Sequence, residues 1–184
     1  MVQAVDGKTL AAMLIHASAS LDAEKQKINE LNVFPVPDGD TGTNMSLTIG
    51  TAATELRQKN PATVGQATAL CASAMLRGAR GNSGVILSLI FRGFSRAMKD
   101  KDTMDGIDLA DAINAGVIAA YRAVMKPAEG TLLTVSRLAG DRAGRAAEEN
   151  TAFEYVLASA IDRAREALAD TIHQNPVLKK AGVV

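Results

Sequence analysis

The sequence predicts an all-α protein. Apolar residues recur at helical spacing along nearly the whole of its 184 residues. The chain is 47% hydrophobic but only 3% aromatic, with no Trp, which favours Ala-rich packing of helix on helix over a β-sandwich. All five prolines fall outside the periodic stretches, and glycines cluster in the loops at 39–42 and 78–84. The length suits one domain with a real core.

The elements follow in order. Leu10, Met13, Leu14, Ala17 and Leu21 form one stripe, and a short second helix is expected to end near Leu31. Residues 32–42 hold Pro35, Pro37, Gly39 and Gly42 and read as a loop. Residues 43–58 resume the pattern with Leu47, Ile49, Ala53 and Leu56, and residues 64–77 continue it with Val64, Ala67, Leu70, Ala74 and Met75. Arg77 to Gly84 is a glycine-rich loop, followed by an apolar helix from Val85 to Met98. Ile107, Ala110, Ile113, Val117, Ala120 and Val124 mark residues 107–125, which Lys126-Pro127-Ala128-Glu129-Gly130 interrupts. Helices from Thr131 to Glu149 and from Phe153 to Ile172 complete about eight, joined by short loops, so sequential neighbours should run antiparallel.

Composition excludes several function classes. The formal net charge is +0, so bulk electrostatics do not favour nucleic acid and any anion site must be local. One Cys rules out an internal disulfide and fits a reducing compartment; Cys71, in an Ala-rich helix, reads as a buried structural thiol. No basic stretch followed by an apolar one opens the chain, and no run of ~18 apolar residues occurs, so a soluble cytoplasmic protein is expected. His16 and His173 have no nucleophile or acid arranged beside them and read as structural or surface residues. No Cys/His cluster supports zinc. The apolar end, Pro176 to Val184, reads as a cut within a longer protein.

Three loops carry the polar chemistry. In Pro37-Asp38-Gly39-Asp40-Thr41-Gly42-Thr43-Asn44, two carboxylates flank a glycine and two hydroxyls follow. Carboxylates suit Mg²⁺, and amides at a helix start attract phosphate; an Asp-Gly turn with an Asx cap is the structural alternative. A calcium loop is excluded by Gly42 and Thr43 at positions where that motif needs a ligand and a glycine. An aspartyl-phosphate site is disfavoured because Pro35 and Pro37 oppose a central strand before Asp38. In Arg77-Gly78-Ala79-Arg80-Gly81-Asn82-Ser83-Gly84, Ser83 either caps the next helix or faces phosphate, and Arg77 and Arg80 either offset phosphate charge or are solvated. It is not the common P-loop, having no Gly-Lys-Ser/Thr. Glu129-Gly130-Thr131-Leu132-Leu133-Thr134 is either a plain Gly-Thr helix start or a wall of a nucleotide pocket. Two helix N-termini aimed at one spot would make a phosphate cradle.

Residues 31–45 resemble the metal loop of the dihydroxyacetone kinase L-type domain and, more closely, that of the N-terminal kinase domain of bacterial fatty acid kinase. Residues 77–88 and 126–135 resemble that family's next two signatures, and Leu178 to Val184 resembles the approach to a further glycine-rich segment. The likeness covers nearly the whole chain. It implies an eight-helix antiparallel up-and-down barrel with ATP and Mg²⁺ at one end. Asp38 and Asp40 match two of three metal-loop aspartates and would act through the metal; Asn32, one residue out of register, is the nearest candidate for the third ligand. Thr41, Thr43 and Asn44, with Gly81, Asn82, Ser83 and Gly84, would meet the phosphates, and Thr131 and Leu132 the nucleoside. Dihydroxyacetone kinases carry His after the second of these aspartates; Thr41 here favours the fatty-acid branch. The implied reaction moves the ATP γ-phosphoryl to a fatty acid carboxylate presented by a separate DegV-type lipid-binding protein. Dihydroxyacetone-type transfer and a non-catalytic nucleotide-binding module are the alternatives. Full-length members have further domains through which they can dimerise.

Overall fold

The computed structural model describes residues 1–182; Val183 and Val184, the end of the last segment of the resemblance, lie outside the described residues. Eight helices are described: α1 (Gly7–Glu30), α2 (Thr41–Lys59), α3 (Val64–Gly78), α4 (Gly81–Ala97), α5 (Gly106–Ala123), α6 (Leu132–Glu149), α7 (Phe153–Gln174) and α8 (Pro176–Ala181). Two strands, β1 (Val5–Asp6) and β2 (Thr103–Met104), pair antiparallel with Val5 opposite Met104. The all-α expectation holds, and each helix packs on its neighbours in sequence.

Three boundaries differ from the sequence reading. The two expected N-terminal helices are one 24-residue helix, because no Gly or Pro interrupts residues 8–30. The eighth helix is instead the short α8, which Pro176 opens and Asn175 caps by accepting from Val177 N at 3.0 Å. Finally, α4 starts at Gly81 rather than Val85, so Ser83 lies inside its first turn and is not its cap.

Up-and-down order sends the starts of α1, α3, α5 and α7 to one end and those of α2, α4 and α6 to the other. Backbone hydrogen bonds tie the first group together. Gly7 N donates to Ala62 O, Gly106 N to Thr151 O, and Phe153 N to Gln3 O. Helices here close their own termini. Asp6 accepts from Thr9 N at 2.8 Å, and Thr63 with Gln66 and Asp105 with Asp108 form capping boxes.

Small residues set the helix spacing. A Cβ on Gly93 of α4 would lie 2.3 Å from Ala115 O of α5, and one on Gly42 of α2 would lie 2.1 Å from Lys25 O of α1. The main core joins Leu10, Leu56, Val64, Met98, Leu109 and Val156. A second cluster, around Ile49, Cys71 and Met75, lies among α2, α3 and their neighbours. Cys71 is fully buried, and burial pushes its thiol up to about 12. His16 and His173 are exposed. No helix among the described residues is long and apolar enough to cross a membrane.

Candidate functional site

The end that receives the starts of α2, α4 and α6 also receives the three loops singled out in the sequence. Two of them meet directly. Gly81 opens α4 at φ +57°, and a Cβ there would lie 2.3 Å from Asn44 Nδ2 in the first turn of α2. One turn on, the buried Thr48 hydroxyl accepts from Arg80 N at 3.1 Å and donates to Asn44 O at 2.6 Å. A Cβ on Gly84 would lie 2.3 Å from that hydroxyl oxygen. Close backbone approach therefore explains Gly81 and Gly84, with left-handed φ as a further reason at Gly81.

The two helix starts differ. That of α2 is held by asparagines of the α1 end. Asn32 Oδ1 accepts from Asp40 N, Thr41 N and Thr41 Oγ1, at 3.3, 3.1 and 2.7 Å. Asn29 Oδ1 accepts from Thr43 N at 3.1 Å. The start of α4 has no such acceptor: Arg80 occupies its cap position without a side-chain hydrogen bond. Among the described residues, nothing accepts from the amides of Gly81, Asn82 and Ser83. The cradle expected from two open helix ends is thus one open end, α4, braced by a largely satisfied one, α2, where Asp40 N, Thr41 N and Thr43 N are paired and, among the described residues, Gly42 N is not.

Asp38 and Asp40 are exposed on the loop before α2, either side of Gly39 at φ +68°. Asp40 takes the cap position of α2 without a side-chain cap bond, so the Asx-cap reading fails for it and its carboxylate stays available. Asn32 Oδ1 already takes three donors, and its Nδ2 donates to Val36 O at 2.8 Å. It organises the loop and is poorly disposed to bind a cation. No group of three or more His, Cys, Asp or Glu that could hold a metal ion occurs among the described residues. Two carboxylates still fit Mg²⁺, which commonly takes one or two from protein and fills its shell with phosphate and water.

Arg77 is not free for phosphate. It pairs with Glu55 of α2 and hydrogen-bonds Ser73. That pair borders a groove of about 530 Å³ between α2 and α3, lined by Lys59, Gln66, Leu70 and Ser73 among others. The groove lies on the flank of these helices, and neither Gly81 nor Asn44 lines it.

The third loop closes on itself and on the α7–α8 corner. Thr134 Oγ1 accepts from Gly130 N at 3.0 Å and donates to Glu129 Oε2 at 2.9 Å, and Thr131 Oγ1 donates to Ala128 O at 2.8 Å. A Cβ on Gly130 would lie 2.8 Å from Thr171 O. Glu129 also pairs with Arg137 at 3.1 Å; hydrogen bonds to Tyr121 and then Glu129 hold that guanidinium above its ordinary value. Thr131 and Leu132 are half-buried at the same end as Asp38 and Gly81, by the alternation of helix direction. Sequence reasoning missed Asn29 and Thr48. The available signal was spacing: Thr48 lies one turn beyond Asn44, and Asn29 one turn before Asn32.

A family model described as the DAK2 domain matches residues 35–184. The chain belongs to the DAK2 domain family. It is therefore a kinase-related module of the dihydroxyacetone kinase L type. Among its relatives, Protein YloV of Bacillus subtilis is 42% identical over 183 residues, which are 100% of this chain and 33% of YloV. An uncharacterized protein of Staphylococcus saprophyticus is 42% identical over 184 residues, 100% of this chain and 33% of its own length. One from Staphylococcus aureus strain USA300 is 40% identical over 184 residues, 100% of this chain and 34% of its own. This DAK2 domain spans about a third of the length of these relatives. The family match takes in all three loops but begins at Pro35, so Asn29 and Asn32 precede it.

Proposed function

We propose that this DAK2 domain binds ATP with Mg²⁺ at the loop end of the helices and transfers the γ-phosphoryl group to a fatty acid carboxylate, giving an acyl phosphate. The acid would be presented by a separate DegV-type lipid-binding protein. The observation that carries the reading is the open start of α4, braced by Asn44 and Thr48 at the end that bears the Asp38 and Asp40 loop. Amides of Gly81, Asn82 and Ser83 and the Ser83 hydroxyl would receive phosphate oxygens, with Gly84 keeping the backbone close and Thr41, Thr43 and Asn44 opposite. Asp38 and Asp40 would hold Mg²⁺, which when bound supplies positive charge to the phosphate oxygens. Thr131 and Leu132 would approach the nucleoside.

The residues suit an acceptor that needs no general base. A carboxylate is already ionised at neutral pH. Catalysis then reduces to positioning and charge stabilisation, which amides, hydroxyls and a metal provide. Thr41 in place of the dihydroxyacetone kinases' histidine supports a carboxylate acceptor over an alcohol.

The deciding experiment titrates an ATP analogue into the protein by calorimetry, with Mg²⁺ and then with EDTA, followed by turnover with a fatty-acid-loaded carrier and with dihydroxyacetone. Mg-dependent binding with transfer to the fatty acid is the expected result. Transfer to dihydroxyacetone alone would move the reading to the sugar kinases. Binding without transfer to either acceptor would make this a nucleotide-binding module.

A further inference from the structure

Asn29, one residue before the end of α1, makes two hydrogen bonds to Thr43. Its Oδ1 accepts from Thr43 N at 3.1 Å, and its Nδ2 donates to Thr43 Oγ1 at 2.9 Å. The backbone N–H can only donate, so it fixes the orientation of the Asn29 amide: oxygen toward Thr43 N, nitrogen toward the hydroxyl. Holding the start of α2 needs only the first bond. The second fills an acceptor position of the Thr43 hydroxyl and leaves its proton for another acceptor.

That proton is unusual in this chain. Within helices, Thr48, Thr51, Thr54, Thr68 and Thr171 each donate to a backbone carbonyl three or four residues back. Thr9 bonds Asp6, Thr41 donates to Asn32, and Thr134 donates to Glu129. Among the described residues, Thr43 is the one helical threonine shielded from solvent whose hydroxyl proton has no acceptor in the protein. It is half-buried in the first turn of α2, next to Asn44 and just after the Asp38 and Asp40 loop.

We propose that Asn29 is a positioning residue that orients the Thr43 hydroxyl so that its proton is presented to the phosphate chain of the nucleotide. This rests on the kinase reading above. It also accounts for an asparagine at position 29: an aspartate would accept from the Thr43 amide equally well but has no N–H for the hydroxyl, and would draw the hydroxyl proton to itself.

Calorimetry with Mg²⁺ and the non-hydrolysable ATP analogue AMP-PNP tests this on the whole chain, using Asn29→Asp, Thr43→Val, Thr43→Ser and the Asn29→Asp/Thr43→Val double variant. Asn29→Asp keeps the acceptor for Thr43 N, and its negative charge is favoured by the start of α2 but opposed by the end of α1, so its melting temperature should stay close to that of the unsubstituted protein. Its affinity should nevertheless fall about tenfold, as should that of Thr43→Val, since each removes one hydrogen bond to a charged group. Thr43→Ser keeps the hydroxyl and should retain more affinity than Thr43→Val, and the double variant should lose no more than Thr43→Val alone. Normal affinity in Asn29→Asp overturns the proposal. So does an Asn29→Asp loss that recurs in full on the Thr43→Val background, because charge repulsion would then explain it. Failure of the unsubstituted protein to bind the analogue overturns the kinase reading itself, and this proposal with it.

Discussion

Gly81 and Asn44 touch across the junction of α4 and α2: a Cβ on Gly81 would lie 2.3 Å from Asn44 Nδ2, and the glycine holds φ +57°. Two costs therefore attach to any side chain at 81, one from backbone conformation and one from collision. Gly81→Ala should lose about 1–2 kcal/mol from the left-handed backbone alone. The collision adds to this unless Asn44 swings aside. Asn44→Ala should recover the steric part only, so urea titrations of the two single variants and the double variant should give a coupling energy of about 0.5 kcal/mol or more. A coupling of zero would mean that Asn44 moves away without cost and is no wall of the site.

Thr48 braces the same junction from below. Its hydroxyl is buried and is engaged by both Arg80 N and Asn44 O. Thr48→Val keeps the shape but strands the Arg80 amide, so it should cost about 1–3 kcal/mol by urea denaturation. Thr48→Ser keeps the hydroxyl and should cost less. Equal losses in the two variants would assign the effect to packing against Gly84 instead of to the hydrogen bonds.

Local signals make the helices and loops legible in the sequence. Apolar spacing marks the long helices, and Asp38-Gly39-Asp40 and Gly81 to Gly84 stand out because glycine, carboxylate and hydroxyl seldom gather without a turn or a ligand. Contacts between distant residues are not legible. Asn29 reaches Thr43 14 positions on, Thr48 reaches Arg80 32 on, and Arg77 turns back 22 positions to Glu55. Each partner is chosen by helix packing, which periodicity does not encode. The expected split of α1 into two helices fails for a different reason. The apolar stripe is interrupted after Leu21, where Glu24 and Lys25 take its next turn before Ile28 resumes it, and so imitates a break, although no residue there breaks a helix.

Burial governs the chemistry of Cys71. Its ordinary value of 9.0 is pushed up to about 12 because the surrounding apolar side chains do not solvate a thiolate. A thiol reagent at pH 8 should leave the folded protein unlabelled and react fully in denaturant. The same shift makes stability depend on pH. Below about 9 the thiol is protonated in both states and has no effect. Between about 9 and about 12 the unfolded chain releases a proton that the folded one keeps, so stability falls as pH rises. Melts from pH 8 to 11 should show this loss in the parent protein and a shallower one in Cys71→Ala. The comparison is one of slopes, since the lost sulfur lowers the variant's stability at every pH.

Asp38 and Asp40 separate a metal site from a turn. Both are exposed, and Asp40 makes no capping bond, so neither supports the fold visibly. Asp38→Ala and Asp40→Ala should each keep the thermal midpoint within about 2 °C of the parent. Their effect should appear only with metal present. The parent should bind the ATP analogue more tightly with Mg²⁺ than with EDTA, and either alanine should remove most of that difference. Binding in EDTA should hold or improve, because a carboxylate without its cation repels phosphate. A variant that still distinguishes Mg²⁺ from EDTA as the parent does would remove that aspartate from the metal role. A variant that instead melted well below the parent would point to the turn, and to a structural function for the carboxylate that its exposure conceals.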